Sequence, residues 1–569
     1  MEGRMLIPLG IAFIVALFAS TVVALTLTPV LCSYMLTTKR ALKQNEKEPF
    51  VSRTLKVWYK KALEWALRYK KIVIGTSAAL LIFTIVIMTG LGRSFLPPFN
   101  EGSLTINIST MPGVSLEESD NMGRMAEKIL LDIPEIQTVA RKTGRAELDE
   151  HALGVNVSEM EAPFELDKRS RDEFLADVRQ RLGELKGVNI EIGQPISHRI
   201  DAMLSGTKAN IAIKLFGNDL NKLYNIGGQI KEAIQGIDGI ADLTLEQQIE
   251  RPQLQIKPKR DMLAKYGIPL PEFSEFINVA LSGKVVSQVY EGGKVFDLTV
   301  KVHDDDKANM EQIGNLMIDA NGQKVPLHYV AEILPLVGPN TISRENVQRK
   351  IVVSANVAGR DLNGVVKDIQ KTVGEQITLP EGYHVEYGGQ FESEQAASRT
   401  LFLTSVISIL LIFLLLFNEF HSMPLSGIIM LNLPLAIIGG VLSIWFTSGI
   451  ISIPAIIGFI SLFGIATRNG ILLVSHYNHL RSEGMSLHDS VVHGSLDRLN
   501  PILMTALTSA LALIPLAVGG DLPGNEIQSP MAQVILGGLL SSTLLNGFVV
   551  PIMYLLLNHK QKEIENLEM

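Results

Sequence analysis

FHSMPLSGIIMLNLPLAIIGGVLSIWFTSGIISIPAIIGFISLFGIAT, residues 420–467, contains no Asp, Glu, Lys or Arg. A helix crosses the hydrocarbon core with about 20 apolar residues, so this run is long enough for two spans, with a break predicted near Gly449. The next residue, Arg468, puts a cation inside the second of them. Working outward, uncharged windows recur at 400–418, 499–520 and 527–559 on one side and at 5–36 and 72–92 on the other. The reading is seven predicted spans, clustered at the two ends of the chain, with a long polar stretch between. The first window exceeds the 7 to 15 apolar residues of a signal peptide by far and reads as a true span.

The averages blend these two regimes. Over 569 residues the chain is 47% hydrophobic and 19% charged, with a net charge of −7 and a mean hydropathy of +0.25. This argues against disorder and collagen-like sequence. Cys32 is the single cysteine, which excludes a thiolate metal cluster and an intramolecular disulfide. Net negative charge leaves no electrostatic footprint for nucleic acid. Residues 39–71 hold eleven Lys or Arg against three Glu, which predicts a cytoplasmic loop. Within it Leu55, Trp58, Tyr59, Ala62, Leu63 and Ala66 recur at helical spacing among basic residues, as in a helix lying on an anionic lipid surface; a solvated juxtamembrane helix is the plainer alternative. That orientation places 93–399, and Met1 too, on the far face. A start on that face without a preceding span is awkward, so Met1 is not expected to be the biological beginning.

In the polar stretch, Leu104, Ile106 and Ile108 alternate as a strand, and Ser115 with Glu118 has the capping-box pattern opening a helix to about Leu131. Strands are expected over 136–142 and 155–166, a second capped helix from Ser170 and Glu173, and a strand over 188–192. The order βαββαβ describes a split βαβ, ferredoxin-like unit. A second copy starts at Ile211, Ile213 and Leu215, continues with a helix over 220–234 and a strand over 241–245, and resumes with β, α and β at 350–357, 361–373 and 384–387. The residues from 251 to 344 are therefore an insertion, with Phe296, Leu298, Val300 and Val302 as its clearest strand. The membrane ends also repeat: Ser20-Thr21 precedes Pro29 at the same offset as Ser542-Thr543 precedes Pro551, and paired repeats are common in secondary transporters.

Phe95-Leu96-Pro97-Pro98-Phe99-Asn100-Glu101-Gly102, Arg199-Ile200-Asp201 with Leu204-Ser205-Gly206, Gly464-Ile465-Ala466-Thr467-Arg468-Asn469-Gly470, Pro501-Ile502-Leu503-Met504-Thr505 and Glu526-Ile527-Gln528-Ser529-Pro530 together resemble the C-terminal half of a resistance-nodulation-division (RND) efflux pump of the heavy-metal branch. The resemblance covers essentially the whole chain. It implies a multi-pass α-helical membrane protein with an α+β periplasmic porter region of two ferredoxin-like subdomains, the second interrupted by a docking insertion. The implied division is a helix at 5–36 (the family's sixth), a cytoplasmic basic segment at 37–71, a helix at 72–92, porter subdomains at 93–207 and at 208–250 with 345–395, a docking subdomain at 251–344, five helices over 400–559 and a cytoplasmic tail at 560–569. It further implies a homotrimer in the bacterial inner membrane, joined to a periplasmic adaptor and an outer-membrane channel, exchanging protons for metal cations without a permanently bound cofactor. An N-terminal half would be missing from this chain.

By the same resemblance Arg468 takes the place of the family's proton-relay lysine, Arg498 that of the relay arginine and Thr505 that of the relay threonine, while the relay carboxylates belong to a helix this chain lacks. No acidic residue occurs within the seven windows, and an unpaired cation at the bilayer centre costs about 2.5 to 3.5 kcal/mol. The alternatives are a snorkelling Arg468, a boundary Arg498 and a Thr505 bonded to its own helix. Copper and silver pumps of the family carry a methionine triad in the porter cleft; here the first two positions are Asn107 and Glu159, and only Met203 is kept. Oxygen and imidazole donors suit zinc-like divalent ions better than Cu(I), so Glu159 and Asp201, followed by Glu161, His151, His198 and Met203, are the candidate metal residues. A solvated acidic loop would equally explain Glu147, Asp149 and Glu150, and a surface histidine His151. A multidrug pump, a Cu(I)/Ag(I) exporter and an inactive fragment are the rival readings; no phosphate loop, nucleophile elbow or zinc-protease motif supports an enzyme.

Overall fold

A computed structural model describes all residues except 1, 36–48, 98, 112, 145–153, 167–168, 206–208, 247–249, 340–341, 521, 523 and 569. The chain opens with helices α1 (Glu2–Leu25) and α2 (Leu27–Met35). Helix α3 (Phe50–Arg68) follows and then α4 (Lys70–Gly90). In α3 the apolar stripe turns toward the membrane helices: Leu63, Ala66 and Leu67 are buried there. Tyr59 donates its hydroxyl to the Gly547 carbonyl at 2.6 Å, while Leu55 and Trp58, expected on the same stripe, are exposed.

After the short strand β1 (Gly92–Ser94) comes the first βα unit: β2 (Ser103–Thr110), α5 (Leu116–Leu131), β3 (Ala140–Thr143), β4 (Val157–Pro163), α6 (Arg171–Leu182) and β5 (Val188–Gly193). Its sheet runs β3-β4-β2-β5, antiparallel throughout. Leu104, Ile106 and Ile108 pack under α5 and α6 with Phe174 and Val178. Ser115 caps α5 by accepting the Glu118 N–H at 3.2 Å. Ser170 and Glu173 form the full reciprocal capping box on α6, which satisfies two amide donors a helix start otherwise leaves orphaned. Helix α7 (Pro195–Ser205) leaves the end of β5.

The second unit begins with β6 (Ile211–Phe216), α8 (Leu220–Ile234) and β7 (Ile240–Leu245). It is interrupted by β8 (Glu250–Pro258), α9 (Arg260–Tyr266), α10 (Leu270–Leu281), the hairpin β9 (Lys284–Glu291) and β10 (Lys294–Val300), the hairpin β11 (Met317–Ala320) and β12 (Gln323–Pro326), and β13 (Ala331–Pro339), which returns antiparallel to β8. The unit closes with β14 (Gln348–Val357), α11 (Leu362–Gln376) and β15 (His384–Gly389). Apart from the two-residue strand Arg344–Glu345, which pairs with the start of β14, its sheet has the order β7-β14-β6-β15, the same permutation as the first. Every residue of β9 and β10 is exposed, and Val302 falls beyond the strand, so the alternation there does not mark a half-buried sheet.

The remaining helices are α12 (Gln390–Phe420), α13 (Met423–Met430), α14 (Asn432–Phe446), α15 (Ile453–Ser482), α16 (Leu487–Val518) and α17 (Gln528–Glu568), with strand β16 (Ile450–Ser452) between α14 and α15. Among the described residues seven helical segments are long and apolar enough to cross a membrane. The helices outrun the uncharged windows: α12 includes Glu419, and α16 begins early enough to include Asp489 and Asp497. Helices α14 and α17 cross where both are glycine. A Cβ on Gly439 would sit 2.0 Å from the Gly537 carbonyl oxygen, and beside it Ser541 donates to the Leu435 carbonyl at 2.9 Å, the small-residue contact typical of membrane helices. Strand β16 pairs in parallel with β1, so the break at Gly449 also anchors the foot of the first βα unit.

Candidate functional site

Two groups of predicted residues lie in two different regions. On the first sheet, side chains alternate between the core under α5 and α6 and the opposite face, and β2 contributes Thr105, Asn107 and Ser109 to the latter. The register sets a polar row across it: Lys142 opposite Glu159, Glu159 opposite Asn107, Asn107 opposite Glu191. Lys142 and Glu159 form an ion pair at 2.7 Å, and Thr244 of β7 donates to Glu191 at 3.1 Å. Helix α7 lies over the row. Its His198 is buried, with Nδ1 at 3.5 Å from Asn107 Nδ2, and its ring rests on Gly193, where a Cβ would come within 2.0 Å of Nε2. The close approach explains the glycine at the end of β5.

Of the six candidate metal residues, Glu159 and His198 both border Asn107, while Glu161 is exposed one pleat further along β4. Asp201 and Met203 lie on α7, in the three turns that carry His198; their side chains, and His151 altogether, fall outside the described residues. Among the described residues no three His, Cys, Asp or Glu side chains converge as a ligand set. Glu191 was not singled out from the sequence, although the alternation of 188–192 puts it on the Asn107 face. The neighbouring unit completes this wall: Arg179 makes a two-point contact with Asp242 at 3.1 and 3.2 Å, and Asn356 donates to the same carboxylate at 2.9 Å.

In the membrane region Arg468 is on the exposed side of α15, while its neighbours Thr467 and Asn469 are buried. Arg498 is half-buried on the adjacent α16. Among the described residues neither guanidinium forms an ion pair, and Arg498 Nε has no partner. Thr505 donates to the carbonyls of Pro501 and Ile502, both at 2.9 Å, which is the helix-bonded alternative for this hydroxyl. Next to Arg498, Asp497 meets His476 of α15 at 3.3 Å, a carboxylate beyond the reach of the uncharged windows.

The AcrB/AcrD/AcrF family profile matches residues 1–558. The chain belongs to that family. It is similar to the cobalt-zinc-cadmium resistance protein CzcA of Cupriavidus metallidurans, 32% identical over 99% of this chain and 54% of that protein. It is 33% identical to Protein HelA of Legionella pneumophila over 99% of this chain and 54% of the relative. The cation efflux system protein CusA of Escherichia coli K12 is 25% identical over 98% of this chain and 54% of its own length. An X-ray structure of a heavy metal efflux pump superimposes with a TM-score of 0.76 at 27% identity, covering 89% of this chain and 52% of that one. The chain thus spans about half the length of the curated relatives it matches, and the heavy-metal RND resemblance carried by its motifs is borne out.

Within the family frame, two of those motifs meet. The backbone N–H of Asn100, in the Phe95–Gly102 motif, donates to Glu526 Oε1 at 3.0 Å. Glu526 heads the motif before α17, some 426 residues later, and is buried.

Proposed function

We propose that the chain is the C-terminal half of an inner-membrane, proton-driven RND antiporter that exports divalent heavy-metal cations of the zinc, cobalt, cadmium or nickel kind. In this reading the two βα units are periplasmic porter subdomains, the insertion is a docking subdomain, and the working protein is a trimer joined to a periplasmic adaptor and an outer-membrane channel. The observation that carries the choice of cargo is the polar row beneath α7. Asn107, Glu159 and Glu191 present oxygen donors and His198 an imidazole, where a Cu(I) site would call for soft sulfur. The printed names of the relatives, cobalt-zinc-cadmium resistance among them, support the same class. Metal arriving at Glu159 competes with the Lys142 ammonium, so capture exchanges one cation for another on a carboxylate whose desolvation the protein has already met. Arg468 and Arg498 are the cationic side of the proton relay: carboxylates supplied by the rest of the pump are held deprotonated by them until a proton arrives and the pairing changes.

The test is metal tolerance of cells carrying the full-length pump with Glu159→Ala and Asp201→Ala. Selective sensitivity to zinc or cobalt, with copper tolerance unaltered, is the expected result; unchanged tolerance to all three sinks the divalent reading.

A further inference from the structure

The loop joining α16 to α17 is bound to both helices and to the βα unit above it. Ser529 and Gln533 of α17 donate to the Ala517 carbonyl of α16 at 3.2 and 3.1 Å, tying together the two helix ends that the loop joins. Within the loop Glu526 is 6% exposed, and both carboxylate oxygens are engaged by backbone. Oε2 accepts the Gly524 N–H at 2.8 Å, and Oε1 accepts the N–H of Asn100. The residue after Asn100 repeats the device one level up. Glu101 Oε2 accepts the Ile196 N–H at 2.6 Å, and Oε1 accepts the Ser197 N–H at 3.0 Å and its hydroxyl at 3.2 Å. These are first-turn amides of α7, where a carboxylate satisfies orphan donors and meets the positive end of the helix dipole. His198 follows directly, and Asp201 and Met203 are on the same helix.

We propose that Glu526 is the positioning residue that couples the relay helices to the metal cleft, through Asn100 and Glu101 to the N-terminus of α7. This rests on the antiport reading given above. Helix α16 carries Arg498 and Thr505, and a shift of its far end draws the Glu526 carboxylate, the Asn100–Glu101 backbone and α7 as one body. The hydrogen bonds at the Glu526–Asn100 and Glu101–α7 joints are charge-assisted, the stronger class of such contacts. Two links of the path are carboxylates gripping main chain, Glu526 on Asn100 and Glu101 on the first turn of α7; the link between α16 and α17 is the pair of neutral hydrogen bonds to the Ala517 carbonyl. The relay end of the path takes in Arg498 on α16 and Arg468 on α15, which packs against both α16 and α17, and its other end is His198 above Asn107.

The experiment is made on the full-length pump and compares wild type, Glu526→Gln and Glu101→Gln, each with and without Arg468→Ala. Glutamine keeps the volume of Glu526 but turns an NH2 toward one of its two backbone donors. Hydrogen exchange of the Ile196 and Ser197 amides, read without metal or proton gradient, is expected to quicken about tenfold or more in Glu101→Gln, the loss of a hydrogen bond to a charged acceptor. Arg468→Ala is expected to alter that exchange in wild type and to leave it unaltered once Glu526→Gln is present, the signature of a coupling broken between two sites. Zn2+ affinity in Glu526→Gln is expected to stay within about twofold of wild type while turnover falls about tenfold, a split that merely structural damage does not produce. The proposal is overturned if Arg468→Ala shifts α7 exchange equally in both backgrounds, or if affinity falls together with turnover. Failure of the antiport reading shows separately, as normal efflux by Arg468→Ala alone.

Discussion

Arg468 and Arg169 show how differently two arginines are treated in one chain. Arg169 bridges Glu135 at 2.6 Å and Asp177 at 2.8 Å, and its hydrogen bonds hold both carboxyls below the usual carboxylate range. A folded-state pKa that is depressed stabilises the fold above the unfolded value, and that contribution is lost as pH falls through the folded value. Acid unfolding followed by tryptophan-independent circular dichroism is therefore expected to steepen below about pH 4, where free carboxyls titrate, and Arg169→Gln is expected to flatten that limb. Arg468, by contrast, has no carboxylate among the described residues. In the full-length pump Arg468→Ala is expected to abolish metal efflux while the trimer persists on a sizing column; wild-type tolerance would refute the relay role. The capping pair of Ser170 and Glu173 was legible because both partners lie within one helical turn. The bridges of Arg169 were not, because Glu135 is 34 residues away and no local pattern marks it. The same holds for Glu526 and Asn100.

At the level of elements, hydrophobic periodicity carried most of the information. Alternation identified β2 and β5, and uncharged windows identified the membrane helices, because burial of one face or of a whole cylinder imposes those periods on composition. Periodicity failed where an element serves something other than this chain's core. Strand β10 alternates and is exposed on both sides, and the stripe on α3 is rotated so that Trp58 points outward. The crossing of α14 and α17 shows what spacing cannot: which glycines touch. Gly439 and Gly537 face each other with no room for a methyl, and the obstacle is backbone carbonyl, which cannot swing aside. Gly439→Leu or Gly537→Val is expected to cost about 3 kcal/mol or more, the upper range of overpacking, seen as loss of the helix pair's resistance to thermal unfolding in detergent. Gly75, with nothing near its Cβ position, is the control and should tolerate alanine. Ser170→Ala on the soluble side should cost about 1 kcal/mol through the lost cap, measured by denaturant midpoint.

As a whole molecule, the chain places the polar row beneath α7 and the arginines of α15 and α16 in separate regions, with the Glu101 and Glu526 carboxylates bonded to main chain between them. The chain reconstituted by itself is expected to take up no zinc against a proton gradient, since among the described residues no carboxylate meets Arg468; gradient-driven uptake by this chain alone would overturn that expectation. Composition and local pattern determined the class of each segment: charge-free windows mark helices long and apolar enough to cross a membrane, and capped amphipathic stretches mark helices that pack on a sheet. Tertiary structure decided the pairings. Which residues stand opposite Asn107, which glycines let α14 and α17 approach, and where Glu526 reaches all depend on contacts between residues tens to hundreds apart, and chain closure over such distances leaves no trace in local spacing because any compatible partner would satisfy the same pattern.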